Sequence, residues 1–270
     1  MVKIFGIVNI TEDSFSDGGL YLETEKAVDH CRKLTVDGCD VLDLGAASSH
    51  PDSKDVNTEE EIARLAAVIH HIKKPGVKIS IDSFRPEVQK FAVAEGVDYL
   101  NDIQGFPFTE SYDFLADAKC SLIVMHSIQR LGRATKTESD PEKLLDEILA
   151  FFEERIASLV VAGIDKKRLI LDPGMGFFLG NNPESSLIVL KNLKQIKHEF
   201  HLPVMVSVSK KSFLGMITGK EVKDRGPATL SAELYASLHG ADFIRTHNVS
   251  ALKDAVNVWK SIQSQPVPEL

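Results

Sequence analysis

One unit repeats along the whole chain and constrains the fold more than anything else. It is a run of four to seven apolar, largely β-branched residues, then a loop, then a stretch with helical periodicity. The runs are Ile4–Asn9, Val41–Gly45, Lys78–Ser83, Tyr99–Ile103, Leu122–His126, Leu169–Asp172, Val204–Ser209 and Phe243–His247. Strands joined by helical crossovers must lie parallel, so strand and helix alternating eight times predict an α/β fold, the (β/α)8 TIM barrel. Its 270 residues suit one such domain over 1–270, since these barrels run to about 250 residues as a unit. A tail over about 264–270 is expected to fray.

Helix boundaries follow from capping chemistry. Thr24 predicts a helix over Glu25–Asp37, Asn57 and Thr58 one over Glu59–Ile72, and Ser250 the start of the last. Pro86, Pro141 and Pro183 suit first-turn positions, the helix from Pro141 reaching about Ala162. Gly38, Gly96, Gly163 and Gly240 stand where helices end in a left-handed residue.

Composition removes several functions. A formal net charge of -8 argues against a nucleic-acid surface. The apolar run near the N-terminus is too short to span a membrane and reads as a buried strand, not a signal peptide. Cys31, Cys39 and Cys120 are odd in number and form no CxxC, which predicts reduced thiols in a cytoplasmic protein.

Such a barrel binds its ligand at the C-terminal ends of its strands. Those ends carry Asn9; Asp43, followed by Ser48 and Ser49; Asp82; Asn101 and Asp102; His126; Asp172; Ser209, Lys210 and Lys211; and Arg245 and His247. Asp43 alone is as well explained by a bond to a neighbouring strand or helix end. The whole set predicts a site, because burying so many ionisable groups without a ligand would be costly. Lys211, Arg245 and His247 gather positive charge on the last two strands, the usual phosphate side. Asn9 and Ser49 offer oxygens to a hydrated Mg2+ and its phosphates. Asp82, Asn101 and Asp172 form an opposite arc of acceptors for a flat, donor-rich heterocycle.

These residues lie in motifs that resemble dihydropteroate synthase of the folate pathway. The motifs are "GIVNITEDSFSDGG" at 6–19, "DLGAASSHP" at 43–51, "ISIDSFRPEV" at 79–88, "YLNDIQG" at 99–105, "VMH" at 124–126, "LILDPGMGF" at 169–177, "SVSKKSFLG" at 207–215 and "FIRTH" at 243–247. The resemblance implies that 6-hydroxymethyl-7,8-dihydropterin diphosphate condenses with 4-aminobenzoate to give 7,8-dihydropteroate and diphosphate. It implies Asp82, Lys211, Arg245 and His247 as catalytic residues, with Asn9 contacting Mg2+. Ser49, His50, Lys211, Arg245 and His247 would hold the diphosphate. Asp82, Asn101, Met125, Asp172 and Lys211 would hold the pterin, and Ser49, Pro51, Phe177, Phe178, Lys211 and Ser212 the aminobenzoate. A homodimer is implied as well. The chemistry fits: diphosphate leaves through a cation, which calls for positive groups at the leaving group and Asp82 near the ring, without a covalent enzyme intermediate.

Three departures from the family pattern stand out. Glu12 replaces a usual proline, and His50 a usual arginine. The stretch Gly174-Met175-Gly176-Phe177-Phe178-Leu179-Gly180-Asn181 is about two residues longer than usual, with Asn for Lys. The third departure resembles the sulfonamide-resistant, mobile-element branch of the family, in which an extra aromatic would exclude a drug that projects beyond the natural carboxylate. The competing reading packs Phe178 and Leu179 under the loop as a small hydrophobic contact. Other readings of the chain are a sulfonamide-sensitive housekeeping synthase, or a methyltetrahydrofolate-dependent corrinoid methyltransferase. The methyltransferase would have no use for the phosphate cluster. A pterin-binding module that had lost activity predicts damage at Asn9, Asp82, Lys211 or His247, and all four are intact.

Overall fold

The structure is a computed structural model and describes residues 2–10, 19–47, 56–73, 76–134 and 137–265. Its elements run β1 (Lys3–Asn9), α1 (Gly19–Val36), β2 (Val41–Gly45), α2 (Thr58–Ile72), β3 (Lys78–Asp82), α3 (Pro86–Ala94), β4 (Tyr99–Asp102) and α4 (Tyr112–Asp117). They continue with β5 (Ser121–Met125), α5 (Pro141–Val161), β6 (Leu169–Asp172), α6 (Pro183–Lys191) and α7 (Leu193–Phe200). Then come β7 (Met205–Val206), α8 (Ser212–Thr218), α9 (Gly226–Leu238), β8 (Phe243–Thr246) and α10 (Val249–Gln263).

All strand pairs are parallel, in the order β6-β5-β4-β3-β2-β1-β8-β7. A parallel bridge between Leu171 and Val204 joins the two ends, supported by Leu171 N–H donating to Pro203 O at 2.9 Å. The eight-stranded barrel read from the sequence is therefore present, with β7 shorter than the expected Val204–Ser209, since Val204 pairs only through that bridge and the β7–β8 ladder ends at Val206. Beyond Val206 its residues leave the ladder and turn toward the barrel mouth.

Other boundaries differ for local reasons. α1 begins at Gly19, not after Thr24, because threonine is tolerated inside a helix and its capping chemistry alone does not mark a start. α10 is capped by Asn248, whose side chain accepts from Ala251 N–H at 3.2 Å, so Ser250 falls inside the first turn. Two crossovers hold two helices each, giving ten described helices where eight were expected. Asn192 divides α6 from α7. Gly38, Gly96, Gly163 and Gly240 all have positive φ, as their positions after helices require.

Two cores result. The larger lies between strands and helices. The smaller is built from strand residues alone: Phe5, Val41, Tyr99, Ile123, Ile170, Met205 and Phe243 fill the barrel interior. Phe5 meets Tyr99 and Phe243 edge-on at 5.0 and 5.7 Å. Lys3 and Lys78, the first residues of β1 and β3, each hold an ammonium 5.7 Å from a ring of this plug, on Phe243 and Tyr99. The N-terminal mouth is thereby closed, which leaves the C-terminal mouth for a ligand.

Candidate active site

Alternation along the strands decides which rim residues meet. Successive strand residues face opposite sides of a sheet, so stepping by two from the plug toward the C-terminal mouth stays on the inner face. Those steps reach Asn9, Asp43, Asp82, Asn101, Met125, Asp172, Ser209, Arg245 and His247. Asp102 and His126 have the opposite parity and correct the expected rim. Asp102 points under the helices, where it accepts from Gln89 Nε2 at 2.9 Å and from the N–H groups of Gln104 and Phe106. His126 packs edge-on against Phe151 with its Nδ1 3.3 Å from Pro173 O, and burial pushes its imidazole down to about 3. Both are structural.

A cavity of about 350 Å³ opens at this mouth. Asn9, Asp82, Ser209, Lys211, Arg245 and His247 line one part of it, and Phe177, Phe178, Ser212 and Arg225 another. Asn101, Met125 and Asp172 are not on the open lining. They are buried on β4 to β6, where Asp82 pairs in register with Asn101 and Met125 with Asp172. Asn101 Oδ1 makes no hydrogen bond within the protein. An unpartnered buried acceptor is costly, and a ring N–H would satisfy it. Ser49, His50 and Pro51, together with Ser48 and the loop carrying Glu12, lie outside the described residues.

Arg245 organises the charges. Its Nε donates to Asp43 Oδ2 and one terminal nitrogen to Asp82 Oδ2 at 2.5 Å. Asp43 is fully buried and absent from the cavity lining, so it reaches the site only through Arg245. Burial alone would lower the Arg245 guanidinium, but Asp43 and Asp82 more than reverse that and raise it. Burial pushes the Asp82 carboxyl up to about 6 in spite of Arg245, and Asp43 adds to the rise. Asp172 is likewise pushed up to about 6 by burial, against a 2.8 Å bond from Gly174 N–H. Burial, with Arg245 beside it, lowers the Lys211 ammonium to about 8. Two carboxylates are thus paired directly with Arg245, while Lys211 stands close enough to Asp82 and Asp172 to interact with both.

The two phenylalanines follow strand β6 in a single 3₁₀ turn, Gly176–Leu179. Its backbone is fastened from three sides. Gln129 Nε2 donates to Phe177 O at 3.0 Å, Ile128 N–H to Phe178 O at 3.0 Å, and Ser139 Oγ to Leu179 O at 2.6 Å. The stretch from Phe177 to Leu179 divides here. Leu179 is fully buried in the helix-side core, while Phe177 and Phe178 line the cavity. Phe178 packs with Met125, Ile103 and Ala134 and holds its ring 4.9 Å from Lys211 Nζ. The turn depends on Gly174, at φ 78°, where a Cβ would come within 2.4 Å of His126 O.

Arg225 was not found from the sequence. It donates to the carbonyls of Lys210 and Lys220 at 2.9 and 3.1 Å, and to Lys211 O at 3.3 Å. Lys210, in the left-handed region at φ 57°, is held from the other side by Thr229 Oγ1, which accepts its N–H at 3.0 Å. These bonds set the turn that presents Lys211 and Ser212 at the start of α8. Arg225 sits in a polar turn before Gly226-Pro227, away from any strand end, so rim logic passes over it.

Among the described residues no group of three His, Cys, Asp or Glu side chains is arranged to hold a metal. Asn9 fits a different kind of site. It is exposed at the end of β1 and lines the cavity beside the cations. Mg2+ bound through substrate phosphates and water needs only one such protein oxygen.

Comparison with known proteins agrees with this geometry. The family described as "Pterin binding enzyme" matches residues 5–247. Dihydropteroate synthase type-3 of Escherichia coli is 56% identical over 97% of this chain and 100% of that protein, and type-2 of Escherichia coli is 51% identical over 96% of both. A dihydropteroate synthase of Xanthomonas albilineans, solved with 4-aminobenzoic acid, has a TM-score of 0.89 at 36% identity, covering 98% of this chain and 94% of that one. The same enzyme in complex with 7,8-dihydropteroate has a TM-score of 0.85 at 34% identity, with 98% and 95% covered.

Proposed function

The chain belongs to the pterin-binding enzyme family as a dihydropteroate synthase, and from that premise we propose how its residues divide the reaction. The enzyme is a transferase of folate biosynthesis that joins 6-hydroxymethyl-7,8-dihydropterin diphosphate to 4-aminobenzoate. The carbon–oxygen bond to diphosphate breaks, a carbon–nitrogen bond to the aminobenzoate amine forms, and the surplus amine proton passes to solvent. The whole chain, 1–270, works as one pterin-binding barrel.

The observation that carries the assignment is Arg245 shared between Asp43 and Asp82 in a cavity that also exposes Lys211 and His247. Asn101, Asp172 and Asp82 accept from the ring edge, and Met125 lies against its face. Lys211, His247 and the remaining terminal nitrogen of Arg245 hold the leaving diphosphate. Asp82 stabilises the positive charge that develops on the ring-bearing methylene as the bond opens. Ser212 and Lys211 take the carboxylate of the aminobenzoate between Phe177 and Phe178, with Ser49, His50 and Pro51 in the roles that the motif "DLGAASSHP" assigns them. Asn9 would hold Mg2+ together with the phosphates, and the ion would supply further charge on the leaving group. No side chain is needed as a covalent nucleophile.

The second part of the proposal is insensitivity to sulfonamides. Phe177 and Phe178 narrow the aminobenzoate end of the cavity, while the natural substrate ends at its carboxylate. The drug projects further and meets the aromatic wall. A homodimer is supported by Tyr235, Val258, Trp259 and Ile262, large exposed apolar residues on α9 and α10 that a second copy would cover. A cytoplasmic location is supported by the three unpaired cysteines, Cys31, Cys39 and Cys120.

A coupled assay of diphosphate release from dihydropterin diphosphate and 4-aminobenzoate, with and without sulfamethoxazole, tests both parts. Turnover in the presence of drug supports them. Absence of turnover defeats the assignment, and turnover abolished by drug leaves a sulfonamide-sensitive synthase.

A further inference from the structure

Ser209 and His247 are joined twice. The His247 backbone N–H donates to Ser209 Oγ at 3.2 Å, and the same oxygen lies 2.9 Å from ring Nδ1. Both residues line the cavity, and Ser209 is buried. A hydroxyl has one proton to give and two lone pairs to accept with. The backbone N–H occupies one lone pair. If Nδ1 also donated, Ser209 would accept twice and its own proton would be left, in a buried place, with no acceptor within the protein, which is unfavourable. If Ser209 donates to Nδ1, every hydrogen is used.

We infer that Ser209 is a positioning residue that fixes His247 as the neutral Nε2–H tautomer, so that the imidazole offers one directed N–H donor to an oxygen of the leaving diphosphate. Neutrality agrees with the surroundings. Burial, then Arg245, Lys210 and Lys211, hold the imidazole down to about 3. Lys211 and Arg245 supply the positive charge, and His247 supplies direction without adding a third cation to a crowded site. Ser209 does this through the histidine, with no contact of its own to the substrate required.

The inference rests on the proposed placement of His247 at the diphosphate, and the test separates the two. The full chain labelled with 15N-histidine is compared with Ser209→Ala and Ser209→Thr by NMR, with a His247→Gln spectrum to assign the ring. An unprotonated Nδ1 and a protonated Nε2 at His247 are expected, shifting toward mixed tautomers in Ser209→Ala and returning in Ser209→Thr. Together with this, the KM for dihydropterin diphosphate rises about tenfold in Ser209→Ala, the KM for aminobenzoate stays, and Ser209→Thr recovers. A protonated Nδ1 in the unaltered protein, or a His247 spectrum indifferent to Ser209→Ala, overturns the tautomer lock. A spectrum that moves while the KM for dihydropterin diphosphate does not overturns the placement of His247 at the diphosphate instead.

Discussion

The ammonium of Lys211 stands 4.9 Å from the ring centroid of Phe178, so an extra aromatic of the β6 loop touches the same lysine that the pterin and the aminobenzoate would share. The proposed drug exclusion and the proposed substrate binding would therefore meet at one contact. Phe178→Leu keeps most of the buried volume and costs less than about 1.5 kcal/mol of stability, whereas Phe178→Ala would lose about 3–5 kcal/mol and confuse the result. In Phe178→Leu, sulfonamide inhibition strengthens at least about tenfold, or about 1.4 kcal/mol of regained binding. The KM for aminobenzoate changes by less than about threefold. Inhibition constants measured side by side check this, and unchanged inhibition, in Phe178→Leu and in the loop shortened by deletion of Phe178, removes the resistance role.

The two carboxylates on Arg245 are expected to separate stability from catalysis. Asp43 is fully buried, and Asp43→Asn leaves a buried guanidinium short of a partner, at a cost of about 3–5 kcal/mol. Asp82 faces the cavity, so Asp82→Asn unfolds at a urea concentration nearer that of the parent and lowers kcat by about 10²–10³ through lost stabilisation of the developing cation. Urea unfolding and steady-state kinetics on both variants decide it. An Asp82→Asn enzyme with kcat unchanged would show that the carboxylate only holds Arg245.

The shifted groups set a pH window. Catalysis as proposed needs Asp82 and Asp172 ionised, both pushed up to about 6, and Lys211 protonated, lowered to about 8. The kcat/KM for dihydropterin diphosphate is expected to rise through about pH 6 and fall through about pH 8. Stability moves in the opposite sense. Between the ordinary aspartate value of 3.8 and about 6 the folded protein binds more protons than the unfolded chain, so these two groups make stability fall as pH rises. Between about 8 and 10.5 the folded protein binds fewer at Lys211, and its contribution rises with pH. Urea unfolding across pH, at fixed salt, reads the stability changes, and a kcat/KM flat from pH 5 to 9 would contradict the assigned roles.

Much of the site was legible in the sequence because a parallel barrel turns chain position into place. Strand ends alone brought in Asp102 and His126, and strand parity excludes them. Parity also raises Asp43 from a packing residue to a partner of Arg245, since it shares the inner face with Val41. Arg225 escapes both rules, because a hydrogen bond from a helix cap to the carbonyls of another loop leaves no periodic trace. The division of Leu179 from Phe177 and Phe178 is equally invisible, since a 3₁₀ turn carries too few residues to reveal which of them faces the core.

Gly174 tests whether that turn is set by backbone conformation or by crowding. Gly174 and Gly96 both have positive φ, 78° and 70°, so an alanine at either is strained by about 1–2 kcal/mol. Around Gly96 nothing lies within 4 Å of an added Cβ, while at Gly174 that Cβ would be 2.4 Å from His126 O. His126 is held by Phe151 and by its backbone N–H donating to Asp172 O of β6 at 2.8 Å, so the turn is expected to move instead. Gly174 N–H donates to Asp172 Oδ1 at 2.8 Å, and a moved turn would displace this proposed pterin acceptor with it. Gly96→Ala is therefore expected to lose only the strain energy, with both KM values unchanged. Gly174→Ala should lose more stability and raise the KM for dihydropterin diphosphate severalfold. Equal stability losses in the two variants, with unaltered kinetics in both, would mean that the His126 carbonyl yields and that φ alone made glycine necessary.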